Sequence, residues 1–176
     1  MGVPPAAERA TGGRRLVVGI GELAVSDSPG DVIVTHALGS CIAVCLWDPA
    51  SQVGGLLHFL LPDSRINGAR AAAQPATFAD LGIPRLLEAV TARGWRKTRA
   101  QVRLIGGAEA VGRAGGGTGT LNIGKRNIVA ARGLLWRAGI MVTGEDVGGS
   151  QARTVSLAMA DGRVRVTSGG AVVNEL

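Results

Sequence analysis

The chain of 176 residues holds two cysteines, Cys41 and Cys45, and two histidines, His36 and His58. A thiol beside an imidazole is the smallest pair that can run acyl chemistry. The ring accepts the thiol proton, or as an imidazolium lowers the thiol pKa, and the thiolate attacks a carbonyl carbon. Cys41 and His58 belong to two apolar segments, Cys41 to Trp47 and Gly54 to Leu61, that flank Asp48-Pro49. The midpoint of positions 41 and 58 falls between Pro49 and Ala50. Folding the segment as a hairpin therefore brings the two residues nearly opposite, within a residue or two of register. Opposed residues on one face have Cβ atoms about 5 Å apart, close enough for thiol and imidazole to meet.

Two more ingredients lie just upstream. Cys41 follows Leu38-Gly39-Ser40, a turn at a strand start where successive backbone N–H groups can converge on an anion, so Gly39 and Ser40 are candidates for an oxyanion hole. Thr35, six residues before the cysteine, carries a hydroxyl able to orient a ring. The competing reading is two core cysteines and one satisfied core histidine. Cys45, between Val44 and Leu46, fits that reading well, and Cys41, beside a Gly-Ser turn, fits it less well.

These residues need strands to hold them. Apolar runs bounded by turn residues predict strands near Arg15 to Ile20, Val32 to Thr35, Cys41 to Trp47, Gly54 to Leu61, Gln101 to Ile105, Met141 to Gly144, Thr154 to Ala160 and Val164 to Thr167. The last two alternate about Asp161-Gly162, a hairpin signal. Ile83, Leu86, Leu87 and Val90 follow a helical period with Pro84 in the first turn, predicting a helix from Pro84 to Arg93. A second helix is expected over roughly Lys125 to Arg137, with Gly94 and Gly139 as stops. Gly115 to Gly119 reads as a flexible loop. The class is α/β with many strands and few helices.

Length and composition fit a single domain, residues 14–176, behind a disordered leader over residues 1–13 that carries Pro4, Pro5, Gly12 and Gly13. With 46% hydrophobic residues the chain can bury a core, but Tyr 0, Phe 2 and Trp 3 make that core aliphatic and leave few rings for stacking on bases. No apolar run reaches the ~18 residues of a membrane span. On one strand the two cysteines stand about 13 Å apart, beyond the ~7 Å limit for a disulfide. Free thiols make a reducing, cytoplasmic compartment the default.

The run Leu38-Gly39-Ser40-Cys41-Ile42-Ala43-Val44-Cys45-Leu46-Trp47-Asp48-Pro49, with Gly54-Gly55-Leu56-Leu57-His58-Phe59-Leu60-Leu61-Pro62, closely resembles the bacterial chemoreceptor glutamine deamidases, CheD. The resemblance continues through Phe78-Ala79-Asp80, Gly106-Gly107-Ala108, Asn122 to Asn127, and Glu145 to Gly149 with Arg153, so it spans about Leu16 to Val166. It implies a single-domain layered α/β sandwich with mixed and antiparallel sheets and two main helices. It also implies Cys41 as nucleophile, His58 as general base and acid, and Thr35 as the third member. Neither a metal nor an organic cofactor is required. The implied substrates are glutamines of methyl-accepting chemotaxis proteins, and the acyl carbonyl of glutamate methyl esters is open to the same chemistry. The implied alternative is a regulatory module that docks a CheC-type phosphatase. The chain departs from the family at Glu109, Ala110 and Val111, where bulky Met and Phe are usual, and in the Gly-rich insertion that follows.

Other signals weigh less. Gly119 to Arg126 nearly matches a phosphate-binding loop, but Arg126 stands where a magnesium-binding hydroxyl is needed. A zinc site from His36, Cys41, Cys45 and His58 is opposed by the separation of the cysteines, and His36 is expected in a turn or at the surface. Arg93, Arg96, Lys97 and Arg99 with Trp95 resemble a nucleic-acid patch, yet cations at a helix C-terminus explain them as well. The net charge of +6 therefore suits docking on an acidic, Glu- and Gln-rich receptor helix bundle better than nucleic acid.

Overall fold

A computed structural model describes residues 12–109 and 122–176. Ten strands run β1 (Arg15–Val17), β2 (Glu22–Ser26), β3 (Val32–Leu38), β4 (Ile42–Asp48), β5 (Val53–Phe59), β6 (Gln101–Gly106), β7 (Gly144–Val147), β8 (Arg153–Ala158), β9 (Val164–Ser168) and β10 (Ala171–Glu175). Three α-helices join them: α1 (Gly68–Ala73), α2 (Ala79–Thr91) and α3 (Ile123–Arg137).

The strands form two five-stranded mixed sheets, ordered β1-β3-β8-β9-β10 and β2-β5-β4-β6-β7. Strand periodicity explains how they stack. Even-numbered residues of β4 (Ile42, Val44, Leu46) join Leu57 and Phe59 of β5 in a core against Ile83, Leu86 and Val90 of α2 and Ile128, Ala131 and Leu135 of α3. Ala43, Cys45 and Trp47, on the opposite face, pack with Leu56 and Ile105 against Ile33, Leu38, Val155, Leu157, Val164 and Val166 of the first sheet. The order of layers is thus helices, second sheet, first sheet. A strand covered on both faces reads as a continuous apolar run, which is why all seven residues of β4 and of β5 are buried.

The expected α/β sandwich with two sizeable helices is the architecture found, with differences in detail. The run from Arg15 to Ile20 is a strand only to Val17, and the chain turns at Gly21 (φ +74°) into β2, which the sequence reading missed. The strand expected at Met141 to Gly144 begins only at Gly144, where it pairs in parallel with β6. Strand β10 and helix α1 were also unanticipated.

Helix α2 starts five residues before Pro84, so the proline lies inside it and not in the first turn. Its absent N–H falls opposite the Asp80 carbonyl near the helix start, which limits the loss to one bond. Asp80 in the first turn suits the positive end of the helix dipole. Both predicted stops hold. Gly94 (φ +96°) and Gly139 (φ +70°) take the left-handed conformation, and the following N–H groups of Trp95 and Ile140 reach back to Val90 and Leu135.

The hairpin at Asp161-Gly162 joins β8 and β9 as expected. Gly162 (φ +74°) is needed there twice over, because a Cβ would lie 2.2 Å from the Trp47 ring. Residues 1–11 of the expected leader and the loop Gly115 to Gly119 lie outside the described residues.

Candidate functional site

The hairpin that carries the cysteine and the histidine closes with Asp48 opposite Val53, one residue later than the sequence midpoint implies. The Asp48 carboxylate accepts the Ala50 N–H at 3.0 Å, and Gln52 N–H donates to the Asp48 carbonyl, so four residues form the loop. His58 consequently pairs with Ala43, and Cys41, just before β4, continues the ladder diagonally to it. Cys41, Ala43 and His58 share the face turned toward the first sheet. The register expectation of one or two residues holds.

Thr35 reaches the same place from the other sheet. It is fully buried on β3, and its Oγ1 lies 2.7 Å from His58 Nδ1 and donates to the Val18 carbonyl at 2.7 Å. A carbonyl can only accept, so the single hydroxyl proton is committed to Val18. The hydroxyl then accepts from Nδ1–H, which leaves Nε2 as the unprotonated nitrogen. His58 Nε2 is buried and has no hydrogen-bond partner among the described residues. The ring is thus held as a neutral base with a bare lone pair, on the same face as Cys41.

Burial sets the charge state. It pushes the Cys41 thiol above its usual pKa and His58 down to about 4. The resting pair is therefore thiol and neutral imidazole. The sequence reading allowed for an imidazolium that pre-ionises the cysteine; burial of both groups opposes that charge separation at rest. Cys45 is fully enclosed and pushed up to about 12 by burial, with the Arg103 charge opposing the shift. It faces Leu56 and Arg103 in the ladder and belongs to the core. Both thiols are free.

The turn before Cys41 is shaped by a bulge. Between Thr35 and Leu38 the register of β3 against β8 slips by one residue, with Ala37 at φ +57°. The bulge buries Leu38 while turning His36 outward, where it is exposed and 3.5 Å from the Thr154 hydroxyl, apart from the other candidate residues. The carbonyls of this turn are all held: Gly39 by Ala108 N–H, Ser40 by Asn127 Nδ2 and Cys41 by Gly107 N–H. The N–H groups of Ser40 and Cys41 donate to no backbone carbonyl among the described residues. Gly106 (φ +114°) permits the approach, since a Cβ there would sit 2.3 Å from the Cys41 carbonyl oxygen.

Sequence reading had quoted Gly106 and Asn127 only within stretches of the resemblance, without a role, and had given Ala37 none. The available signal for Asn127 was a polar residue on the buried stripe of α3 formed by Gly124, Ile128, Ala131 and Leu135.

The remaining candidates resolve into structure. Arg99 pairs with buried Asp48 at 2.6 Å, Arg93 donates to the Ala89 carbonyl, and Lys97 donates to the Ala138 carbonyl at the end of α3. Trp95 is in the core. Arg93 and Lys97 thus serve helix ends, as the reading as C-terminal cations anticipated, while Arg99 serves a buried carboxylate. Among the described residues no three His, Cys, Asp or Glu side chains converge to hold a metal ion, and no helix is long and apolar enough to cross a membrane.

Residues 60–168 match the family described as CheD chemotactic sensory transduction. A protein of Anaeromyxobacter dehalogenans named "Probable chemoreceptor glutamine deamidase CheD 2" is 49% identical over 157 residues, covering 89% of this chain and 96% of its own. One of Solibacter usitatus, named "Probable chemoreceptor glutamine deamidase CheD", is 42% identical, covering 89% and 90%. Another of that name from Pyrococcus abyssi is 38% identical, covering 93% and 98%.

Proposed function

The chain belongs to the CheD family, and from that premise we propose that it is a chemoreceptor glutamine deamidase whose nucleophile is Cys41, whose base is His58 and whose orienting residue is Thr35. The observation that carries the reading is the bond pair Val18 carbonyl, Thr35 hydroxyl, His58 Nδ1, which fixes the tautomer and leaves Nε2 without a partner on the face it shares with Cys41. Hydrogen-bonded core histidines do not ordinarily leave a buried ring nitrogen bare.

The chemistry follows from these states. As Cys41 Sγ attacks the side-chain carbonyl carbon of a receptor glutamine, its proton passes to His58 Nε2, and the amide oxygen becomes an oxyanion facing the N–H groups of Ser40 and Cys41. The Thr35 oxygen stabilises the imidazolium through Nδ1–H. Collapse breaks the C–N bond, the amine takes the His58 proton and ammonia leaves a thioester. His58 then removes a proton from water, hydroxide adds to the thioester, Cys41 Sγ departs and takes that proton back from His58, and the carboxylic acid released loses its own proton to solvent to give glutamate. Glutamate methyl esters enter the same route with methanol as leaving group. Every proton is accounted for by the pair and water, so the scheme calls on no cofactor.

The same proposal takes residues 14–176 as one catalytic domain, working in the cytoplasm where both thiols stay reduced. Among the described residues eight ion pairs engage eight acidic side chains. The surplus of cations that gives +6 favours an acidic receptor surface.

The test is incubation of receptor fragments with the protein and with Cys41→Ala, followed by ammonia assay and mass mapping of glutamines. Conversion of glutamine to glutamate by the parent alone supports the reading. Equal conversion by Cys41→Ala refutes it. Stoichiometric binding of a CheC-type phosphatase with no conversion of any receptor glutamine would replace it with the regulatory module.

A further inference from the structure

Asn127 stands 87 residues from Ser40 in sequence, yet its side chain joins the two halves of the site. It lies one turn into α3 and is fully buried. Its Nδ2 donates to the Ser40 carbonyl at 2.9 Å and to the Leu60 carbonyl at 2.8 Å. Both acceptors are carbonyls, so the amide nitrogen must face them, and its two protons match them one to one. Ser40 immediately precedes Cys41, and Leu60 is two residues beyond His58.

The Ser40 carbonyl and the Cys41 N–H belong to the same peptide unit. In a planar trans peptide the N–H points opposite to the C=O. A hydrogen bond that pins the carbonyl toward α3 therefore aims the N–H away from it, and that N–H is one of the two the turn leaves without a backbone acceptor. The neighbouring peptide is fixed as well, because Gly107 N–H holds the Cys41 carbonyl. Rotation of the Ser40–Cys41 unit is blocked at its carbonyl by a side chain 87 residues away in sequence.

We propose that Asn127 is a positioning residue that sets the oxyanion hole by clamping the Ser40–Cys41 peptide, and through Leu60 ties its placement to the strand that carries His58. The proposal rests on Cys41 being the acyl-transfer nucleophile. A donor aimed at the oxyanion is typically worth ~10²–10³ in kcat. A clamp acting through that donor forfeits part of this when removed, about 10- to 100-fold in kcat with KM changed less than about twofold. Alkylation of the thiol by iodoacetamide passes through no oxyanion, so its rate should stay within about twofold.

The experiment compares the parent with Asn127→Ala, which removes both donors, and Asn127→Ser, which retains one donor set one bond further back along the side chain. Three readouts are taken on folded protein: receptor-glutamine deamidation, hydrolysis of p-nitrophenyl acetate, and iodoacetamide alkylation of Cys41. The expected result is a loss of kcat on both substrates, larger for Asn127→Ala than for Asn127→Ser, at unchanged alkylation. Unchanged kcat, or alkylation falling in step with kcat, overturns the proposal. Loss of the folded state in both variants also overturns it, by assigning Asn127 to stability alone. If the parent hydrolyses the ester but converts no receptor glutamine, the substrate reading has failed, and the ester still decides the clamp.

Discussion

Replacing Thr35 by valine removes one hydroxyl and little else, because the two side chains are nearly the same shape and the site is fully buried. Two hydrogen bonds of 2.7 Å disappear, one to the Val18 carbonyl and one from His58 Nδ1–H. A buried donor or acceptor left unpaired costs roughly 1–3 kcal/mol. Because the two bonds share one hydroxyl and are not additive, Thr35→Val is expected to destabilise the fold by about 2–4 kcal/mol. Activity should suffer more than stability. Without an acceptor at Nδ1, the neutral ring no longer gains from keeping its proton there. Moving it to Nε2 turns the base toward the thiol into a donor, and the imidazolium formed during attack loses its stabilising oxygen. A fall of roughly 10²-fold or more in kcat follows, with KM little changed. The assay is ammonia release from receptor fragments, paired with urea denaturation and with nitrogen-15 detection of the His58 tautomer. Retention of kcat within about twofold, or a tautomer unchanged by the substitution, would show that the Thr35 hydroxyl does not set the state of the ring.

Acid should weaken the fold in two stages. His58 has a folded pKa of about 4, below its ordinary 6.5, so its contribution is complete above pH 6.5 and is lost as pH falls to 4, a change worth ~3 kcal/mol. Asp31, held at about 2 by Arg14 and Ser26, adds its own loss only below the ordinary carboxylate range. Urea midpoints measured against pH should show the first stage in the parent and not in His58→Gln. Asp48→Asn should cost about 3 kcal/mol in urea denaturation. Burial alone would raise the Asp48 pKa, but Arg99 and the N–H groups of Ala50 and Arg96 outweigh it and hold the carboxylate ionised; a destabilisation under about 1 kcal/mol would show that ion pair to be dispensable. Gly162→Ala should destabilise by about 2–4 kcal/mol, since it adds left-handed strain and a clash with Trp47; a neutral result would mean the hairpin is not seated on that ring.

How much of this was legible in the sequence depended on how locally each feature is encoded. The pairing of Cys41 and His58 could be read because a hairpin's register depends mainly on its turn, and the error was the single residue by which Pro49 to Gln52 displace the midpoint. The glycine stops of α2 and α3 were equally local. Pro84 misled because a proline suits a first turn, and nothing nearby shows that Phe78 and Asp80 already start the helix. Strand β7 slid because its position is set by parallel pairing to β6, some 40 residues earlier. The bond from Thr35 to His58 crosses between two sheets, and the reach of Asn127 to Ser40 spans 87 residues. Spacing along the chain cannot express either contact. A polar residue on the apolar stripe of α3 was the trace left of the second.

The proposed route passes through a covalent acyl intermediate on one particular thiol. Rapid acid quenching of the protein with a receptor fragment during turnover, followed by peptide mapping, tests it most directly. A thioester between Cys41 and a receptor glutamine side chain is expected, absent from Cys45 and undiminished in Cys45→Ala. Turnover with no adduct on Cys41, or an adduct carried by Cys45, would contradict it.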